Sequence, residues 1–374
     1  MTFSFGMAKM TAVPPATSFE SEDAPLFSVN KDETDEKKNA LTLPRLNIGP
    51  KAEPAKAKAA YKPAFVFASR KGEVDKKEKV EWELLESPWR KVAFSADNRE
   101  ALVDSVSSYK PSCASVSEAR VLLLGPVGAG KSSFISSVHS AFSGRVTNRA
   151  MVGTSSTSFT QKVEQQSNAG HLRSYTIRRR GESGDQPVAL TLCDTMGLGT
   201  ADMTGPSLHD VLSVIKGHAP EGHKFSPDQP LRTETLGYVK KPLASERIHC
   251  VAFVLDATKI DSYGKGMGGT FQQLREHISN LSVHQVALLT HVDQLCPETA
   301  CDITKVYRSR LVQNTMKKAA ALLGMSMSYL VPVKNYSCEL DVEGDTDALL
   351  LSAVQHLLQY VELHFQDLAD LRLV

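Results

Sequence analysis

Short runs of β-branched residues and leucine alternate with amphipathic stretches over most of this chain. Residues 120–124 read as a strand, 132–142 as a helix, 172–177 and 188–193 as strands, and 208–216 as a helix. A strand over 248–255, a helix over 271–281 and a strand over 285–290 come next. They are followed by a long helical stretch over 299–323, a strand over 329–333 and a final helix over 346–362. The strand runs are continuously apolar, which indicates burial on both faces. The pattern therefore predicts an α/β fold: a mostly parallel sheet with helices on both faces. Upstream, SADNREALVDSVSSY places Ala101, Leu102, Val106 and Tyr109 near one helical face, with Ser95 as the N-cap.

The first 81 residues follow no such pattern. Seven of the 18 prolines lie before residue 64, and KAEPAKAKAAYKPA has no sustained period. With 14 basic and 12 acidic residues through Glu81, the segment reads as a disordered, low-complexity, solvated region. Both tryptophans, Trp82 and Trp89, fall in EWELLESPWRKVAF, where residues worth burying begin. Residues 82–112 are then a helical lead-in and 113–374 the main domain.

Composition narrows the function. Of 374 residues, 41% are hydrophobic and 23% charged, as in a globular protein. Lys and Arg total 43 against 42 Asp and Glu, so the overall field favours neither nucleic acid nor an anionic membrane, and any phosphate chemistry must come from a local site. The six cysteines are scattered without CxxC spacing and read as reduced thiols. No apolar run approaches the ~20 residues of a membrane span. MTFSFGMAKM lacks the character of a targeting peptide, so a cytoplasmic protein is expected.

The local site is prominent. Gly125-Pro126-Val127-Gly128-Ala129-Gly130-Lys131-Ser132 fits GxxxxGK[ST] and lies between the strand RVLLL and a helix. Glycines let such a loop turn its N–H groups onto phosphate oxygens, and the helix N-terminus adds its dipole. Lys131 then bridges β- and γ-phosphates, and Ser132, with Ser133 behind it, faces Mg²⁺. VALTLCD ends in Asp194-Thr195-Met196-Gly197, where Asp194 holds the magnesium shell and the Gly197 N–H meets the γ-phosphate.

QVALLT leads into Thr290-His291-Val292-Asp293, a departure from [NT]KxD. In that pattern the carboxylate accepts from guanine N1–H and its amino group, a pair of donors adenine lacks, so Asp293 would specify the base. The competing reading makes Asp293 a helix N-cap. LVPVKNYS follows the last strand and sets a backbone N–H of Lys334-Asn335 near guanine O6. All four motifs stand at the C-terminal tips of strands, where ligands of open α/β sheets bind.

Other positions are less determined. His291 stands where a lysine stem packs on guanine, and its ring offers stacking instead. Leu198 stands where Ras-like enzymes carry a water-orienting glutamine, which predicts slow or partner-dependent hydrolysis. Thr154, Thr157 or Thr160 completes the metal shell from the hydroxyl-rich segment after Arg145, with Thr157 the chosen candidate. The run Arg178-Arg179-Arg180 reads most simply as decoration of a hairpin tip, with phosphate contact as the minority alternative, and His218 and His223 read as loop histidines rather than zinc ligands.

Taken together, SPWRKV, LLLGPVGAGKSSFISSV, LCDTMGL, KGHAPEGHKFSP, RIHCVAFVLDA, LLTHVD and PVKNYS resemble the interferon-induced protein 44 family, from about Glu86 to the C-terminus. The resemblance implies a cytoplasmic P-loop, G-domain-like GTPase fold and an interferon-induced protein of vertebrate innate immunity with antiviral and antiproliferative connections. It maps the phosphate loop to residues 125–133, the metal-side aspartate to Asp194 and the base-reading aspartate to Asp293. Some relatives carry a folded module ahead of this domain, which residues 1–81 have too few large apolar side chains to match.

The leading expectation is a GTP/GDP- and Mg²⁺-binding switch, whose partners are other immune-response proteins or copies of itself. The alternatives are an assembly protein with a vestigial nucleotide site, and an ATP-dependent P-loop enzyme that leaves Asp293 without a role.

Overall fold

A computed structural model describes residues 83–150, 170–181, 184–199, 205–226 and 228–371. The expectations for residues 1–82, including Trp82, and for Thr154, Thr157 and Thr160 fall outside these residues.

Among the described residues six strands form one sheet: β1 (Ala119–Leu124), β2 (Arg173–Gly181), β3 (Gly184–Asp194), β4 (Cys250–Asp256), β5 (His284–Thr290) and β6 (Leu330–Pro332). Their spatial order is β2-β3-β1-β4-β5-β6. The pairs β3-β1, β1-β4, β4-β5 and β5-β6 are parallel, and the edge strand β2 runs antiparallel to β3.

The continuous apolar runs are explained by two separate cores. Val121 and Leu123 of β1, with Ala252 and Val254 of β4, face α1 (Ala96–Ser107), α2 (Lys131–Ser143) and α8 (Gly344–Leu371). Leu122 and Leu124, with Val251 and Phe253, face α3 (Leu208–Ile215), α4 (Lys265–Ser279) and α7 (Arg310–Leu323). Successive side chains of a strand point to opposite faces, so only a sequence apolar at every position can serve both layers. Each fully buried leucine contributes about 1.5–3 kcal/mol over leaving it exposed.

Serine hydroxyls define three helix starts. Ser95 accepts from the Asn98 N–H, Ser207 from the Asp210 N–H, and Ser309 from the Val312 N–H. On α1 the buried side chains are Leu102, Val103 and Val106, while Ala101 is exposed. The same capping chemistry breaks the helix expected over 299–323. Two short helices, α5 (Val292–Leu295) and α6 (Pro297–Cys301), and a 3₁₀ turn (Ile303–Tyr307) come before α7. The backbone is extended at Asp302 and Ser309, and each caps the segment after it with its own side chain.

The other differences are of extent. Helix α4 begins at Lys265, before the expected 271, and α8 runs on to Leu371. Strand β2 continues through the arginine run, so Arg178, Arg179 and Arg180 lie within the strand and not at the hairpin tip.

Helix α1 is tied to α8 by a buried polar link. Arg99 reaches the Asp347 carboxylate at 2.6 Å, and the Tyr336 hydroxyl donates to the same group at 2.8 Å. Trp89 packs edge-on against Tyr307 at 5.0 Å. No helix among the described residues is long and apolar enough to cross a membrane.

Candidate functional site

Strand β1 leads straight into Gly125, and α2 starts at Lys131, so residues 125–130 bridge them. A Cβ on Gly125 would fall 2.1 Å from the Val254 carbonyl oxygen of β4, a gap only glycine tolerates. Gly128 and Gly130 adopt left-handed φ values of 77° and 89°, open to glycine at little cost. Gly130 also occupies the N-cap of α2, with no side-chain hydrogen bond and no acidic residue in the first turn. Where Ser95, Ser207 and Ser309 close their helices, this end keeps its free N–H groups and its positive dipole end.

Three side chains gather at that end. Lys131 is buried, and its ammonium donates to the carbonyl oxygens of Gly125 at 3.0 Å and Pro126 at 3.1 Å. Burial lowers its pKa, an effect partly opposed by the nearby Asp194 charge. The Ser132 hydroxyl donates to Asp194 Oδ2 at 2.5 Å. Burial raises the Asp194 pKa against the pull of Lys131 and Ser132, and Asp194 Oδ1 is buried with no hydrogen-bond partner. An orphaned carboxylate oxygen beside a serine hydroxyl is the hard-oxygen donor set that suits Mg²⁺, so these residues fit that ion. Ser133, next on α2, is half-buried.

The turn after β3 rests directly on the loop. A Cβ on Gly197 would lie 2.6 Å from Val127 Cγ2 and 2.8 Å from the Val127 backbone. The Leu198 N–H donates to the Gly125 carbonyl at 2.9 Å, and the Leu198 side chain is buried.

The segment after β5 meets the other side of the same loop. Thr290 Oγ1 lies 2.7 Å from the Ala129 carbonyl oxygen and 3.0 Å from that of Leu255. A Cβ on Gly130 would be 3.4 Å from Thr290 Cγ2 and from His291 Cε1. His291 is left-handed at φ 57°, an uncommon conformation for a residue with a side chain. It is also the N-cap of α5, which removes the capping role from Asp293. Asp293 lies inside the first turn, half-buried, its carboxyl pKa raised by burial and held back by its own N–H, Lys334 and His291.

After β6, the Asn335 amide donates to the Gly130 carbonyl at 3.2 Å, while its Oδ1 is buried and unpartnered. The Lys334 ammonium is held by Glu343 at 2.8 Å and Glu339 at 3.5 Å. The structure thus brings every described motif residue to the C-terminal rim of the sheet; Thr157 lies outside the described residues. His218 and His223 serve their own loop. His218 stacks on Tyr238 and sits 2.8 Å from the Val239 carbonyl, and His223 packs on Phe225.

Two residues not selected from the sequence join this rim. Asp256, the last residue of β4, caps the following 3₁₀ turn through Thr258 and lies 3.5 Å from His291 Nδ1. Its other oxygen holds Lys259 at 3.1 Å, and the Lys259 ammonium stands 3.8 Å from where a Gly128 Cβ would be. Their signal was positional: both follow directly from a strand tip on the loop side.

No family model matches the chain. Interferon-induced protein 44 from Pan troglodytes and from Homo sapiens are each 34% identical to it over 279 residues, covering 75% of this chain and 60% of theirs. Interferon-induced protein 44-like from Homo sapiens is 34% identical over 280 residues, covering 75% of this chain and 59% of its own. The chain therefore spans about three-fifths of the length of these curated relatives. Among solved structures, a probable GTP-binding protein engB aligns with a TM-score of 0.33 at 12% identity, over 65% of this chain and 98% of that one.

Proposed function

Since the chain belongs to the interferon-induced protein 44 family, we propose that it is a guanine-nucleotide-binding protein with a G-domain-like fold, whose GTP hydrolysis is slow or depends on a partner. The observation that carries this reading is the pairing on one rim of an uncapped, left-handed glycine loop with the half-buried carboxylate of Asp293.

In this reading the N–H groups of residues 127–133 take the phosphates, with Gly125 seating the loop against β4. Lys131 exchanges the carbonyls of Gly125 and Pro126 for phosphate oxygens, which repay the burial of its charge better. Ser132 and Asp194 would hold Mg²⁺, which when bound offsets phosphate charge. Asp293 accepts from the two guanine donors, His291 lies along the base, and Asn335 sits beside it while bracing Gly130. Gly197 brings its N–H toward the terminal phosphate. Leu198 offers a hydrocarbon where a water-orienting amide would be needed, so turnover is slow without a partner. Interferon induction, an antiviral role, a cytoplasmic setting and association with immune-response proteins or with itself belong to the same proposal.

Competition among GTP, ATP and XTP on the purified chain tests it. Two hydrogen bonds to a carboxylate, at about 1.5–3 kcal/mol each, predict GTP preferred over ATP by roughly 10²–10⁴. Asp293→Asn should move the preference toward XTP, because an amide can donate where the carboxylate accepted. ATP preference, or unchanged guanine preference in Asp293→Asn, overturns the base assignment. Leu198 and His291 favour a second reading, an assembly protein with a structural nucleotide site. An antiviral reporter that responds equally to wild type and to nucleotide-free Lys131→Ala would select it.

A further inference from the structure

The arginine run of β2 takes no part in the site above, yet the fold gives it company. Arg178 and Arg180 share one face of β2, while Arg179 points the other way and pairs with Asp104 at 2.6 Å. Facing Arg178 and Arg180 are Arg145 and Arg149, from the segment that leaves α2, and the four guanidiniums line a cavity of about 220 Å³. One lining carboxylate opposes them: Asp185 on β3, 3.8 Å from Arg149. Arg145, Arg178 and Arg180 have no acidic partner within salt-bridge distance among the described residues. Among the described lining residues, four arginines against one aspartate leave the cluster with an excess of positive charge.

Two further observations fit an anion at this cavity. Thr147 Oγ1, on the cavity wall, is buried without a hydrogen-bond partner. His139, on the α2 wall, is held neutral: burial, then the charges of Arg149 and Arg178, bring its pKa down to about 4, with Asp185 alone pulling the other way. The cavity is also separate from the glycine loop. His139 lies eight residues into α2 from Lys131, about 12 Å along the axis.

We propose that this cavity is a second anion site, which takes a phosphate monoester or diphosphate group of a ligand bound independently of the glycine loop. Four planar forks around a small space match the several oxygens of such a group, which a single carboxylate would leave largely unpaired. The volume lies below that of drug-sized pockets, so the cavity holds the phosphorylated end of a ligand and not its whole body.

Calorimetric titration of the full chain with inorganic pyrophosphate tests the site against the glycine loop. Lys131→Ala should retain a binding event. In that background Arg178→Ala with Arg180→Ala should weaken the event by roughly tenfold or more per guanidinium removed. Arg145→Ala with Arg149→Ala, on a different element, should do the same, so a folding defect in one pair leaves the other to decide. Loss of all binding in Lys131→Ala, or unchanged binding in both arginine pairs, overturns the proposal. Sedimentation with phosphatidylcholine vesicles with and without a phosphoinositide identifies the source. Phosphoinositide-dependent retention lost in the arginine pairs supports a lipid headgroup, and pyrophosphate binding without retention supports a soluble ligand.

Discussion

Acidification should weaken this fold through His249, which precedes β4 and is 2% exposed. Its Nδ1 accepts the Arg120 N–H at 3.0 Å, and its Nε2 lies 3.0 Å from the Ala244 carbonyl oxygen. The neutral ring with its proton on Nε2 satisfies both contacts; a second proton on Nδ1 would face the Arg120 N–H. Burial sets the pKa at about 4, below the ordinary 6.5; the nearby charges of His364 and Arg120 add to the depression, and the bond to Ala244 opposes it.

The depressed value gives the sign. The unfolded chain binds this proton near its ordinary pKa and the folded chain does not, so stability is full above about pH 6.5 and declines as pH falls toward 4. Between pH 7 and pH 5 the loss from this group is about 2 kcal/mol. Urea unfolding at both pH values, on wild type and His249→Asn, isolates it. The amide oxygen of asparagine offers an acceptor that does not titrate, so the variant should lose about 2 kcal/mol less than wild type on acidification. Equal losses in the two proteins would refute the reasoning. His139 titrates in both and drops out of the difference.

Gly125→Ala should cost about 3 kcal/mol of stability, because its Cβ would press on the Val254 carbonyl at 2.1 Å and backbone must move. Gly144→Ala meets nothing within 4 Å and should cost only the about 1–2 kcal/mol of its left-handed φ; urea midpoints that rank the two the other way would contradict the close approach of loop and β4. Ser132→Ala should remove most of the gain in nucleotide affinity that Mg²⁺ confers, read by calorimetry with and without the ion. An undiminished gain would place the metal elsewhere.

The sheet was largely legible because strands buried on two faces must be apolar at every position, and Val121–Leu124 and Val251–Leu255 have no polar interruption. Boundaries set by tertiary contact were not. The helix expected from Phe271 starts earlier: KGMGG forms the first turn of α4, where a Cβ on Gly268 would sit 3.4 Å from Leu322 of α7. Asp302 and Ser309 carried a visible signal, since both residue types cap helices, but the amphipathic period around them outweighed it. The motif residues could be found because each follows the C-terminal end of a continuously apolar strand, and the parallel strands β1, β3, β5 and β6 carry those ends to one rim. The pairing of Asp256 with His291, and the convergence of Arg145 and Arg149 with Arg178 and Arg180, join segments that only the folded chain places side by side.

The link from Leu198 to Gly125 is made entirely of peptide groups. The tether itself does not depend on the side chain at 198, but that side chain is buried in the core shared with Val211 and Phe225, so an amide or an acid there would bury an unpaired polar group at a cost of about 1–3 kcal/mol. Proline alone, lacking the hydrogen, would cut the tether. Position 198 therefore joins cradle and core: its backbone holds the loop, and its side chain is part of the packing beneath.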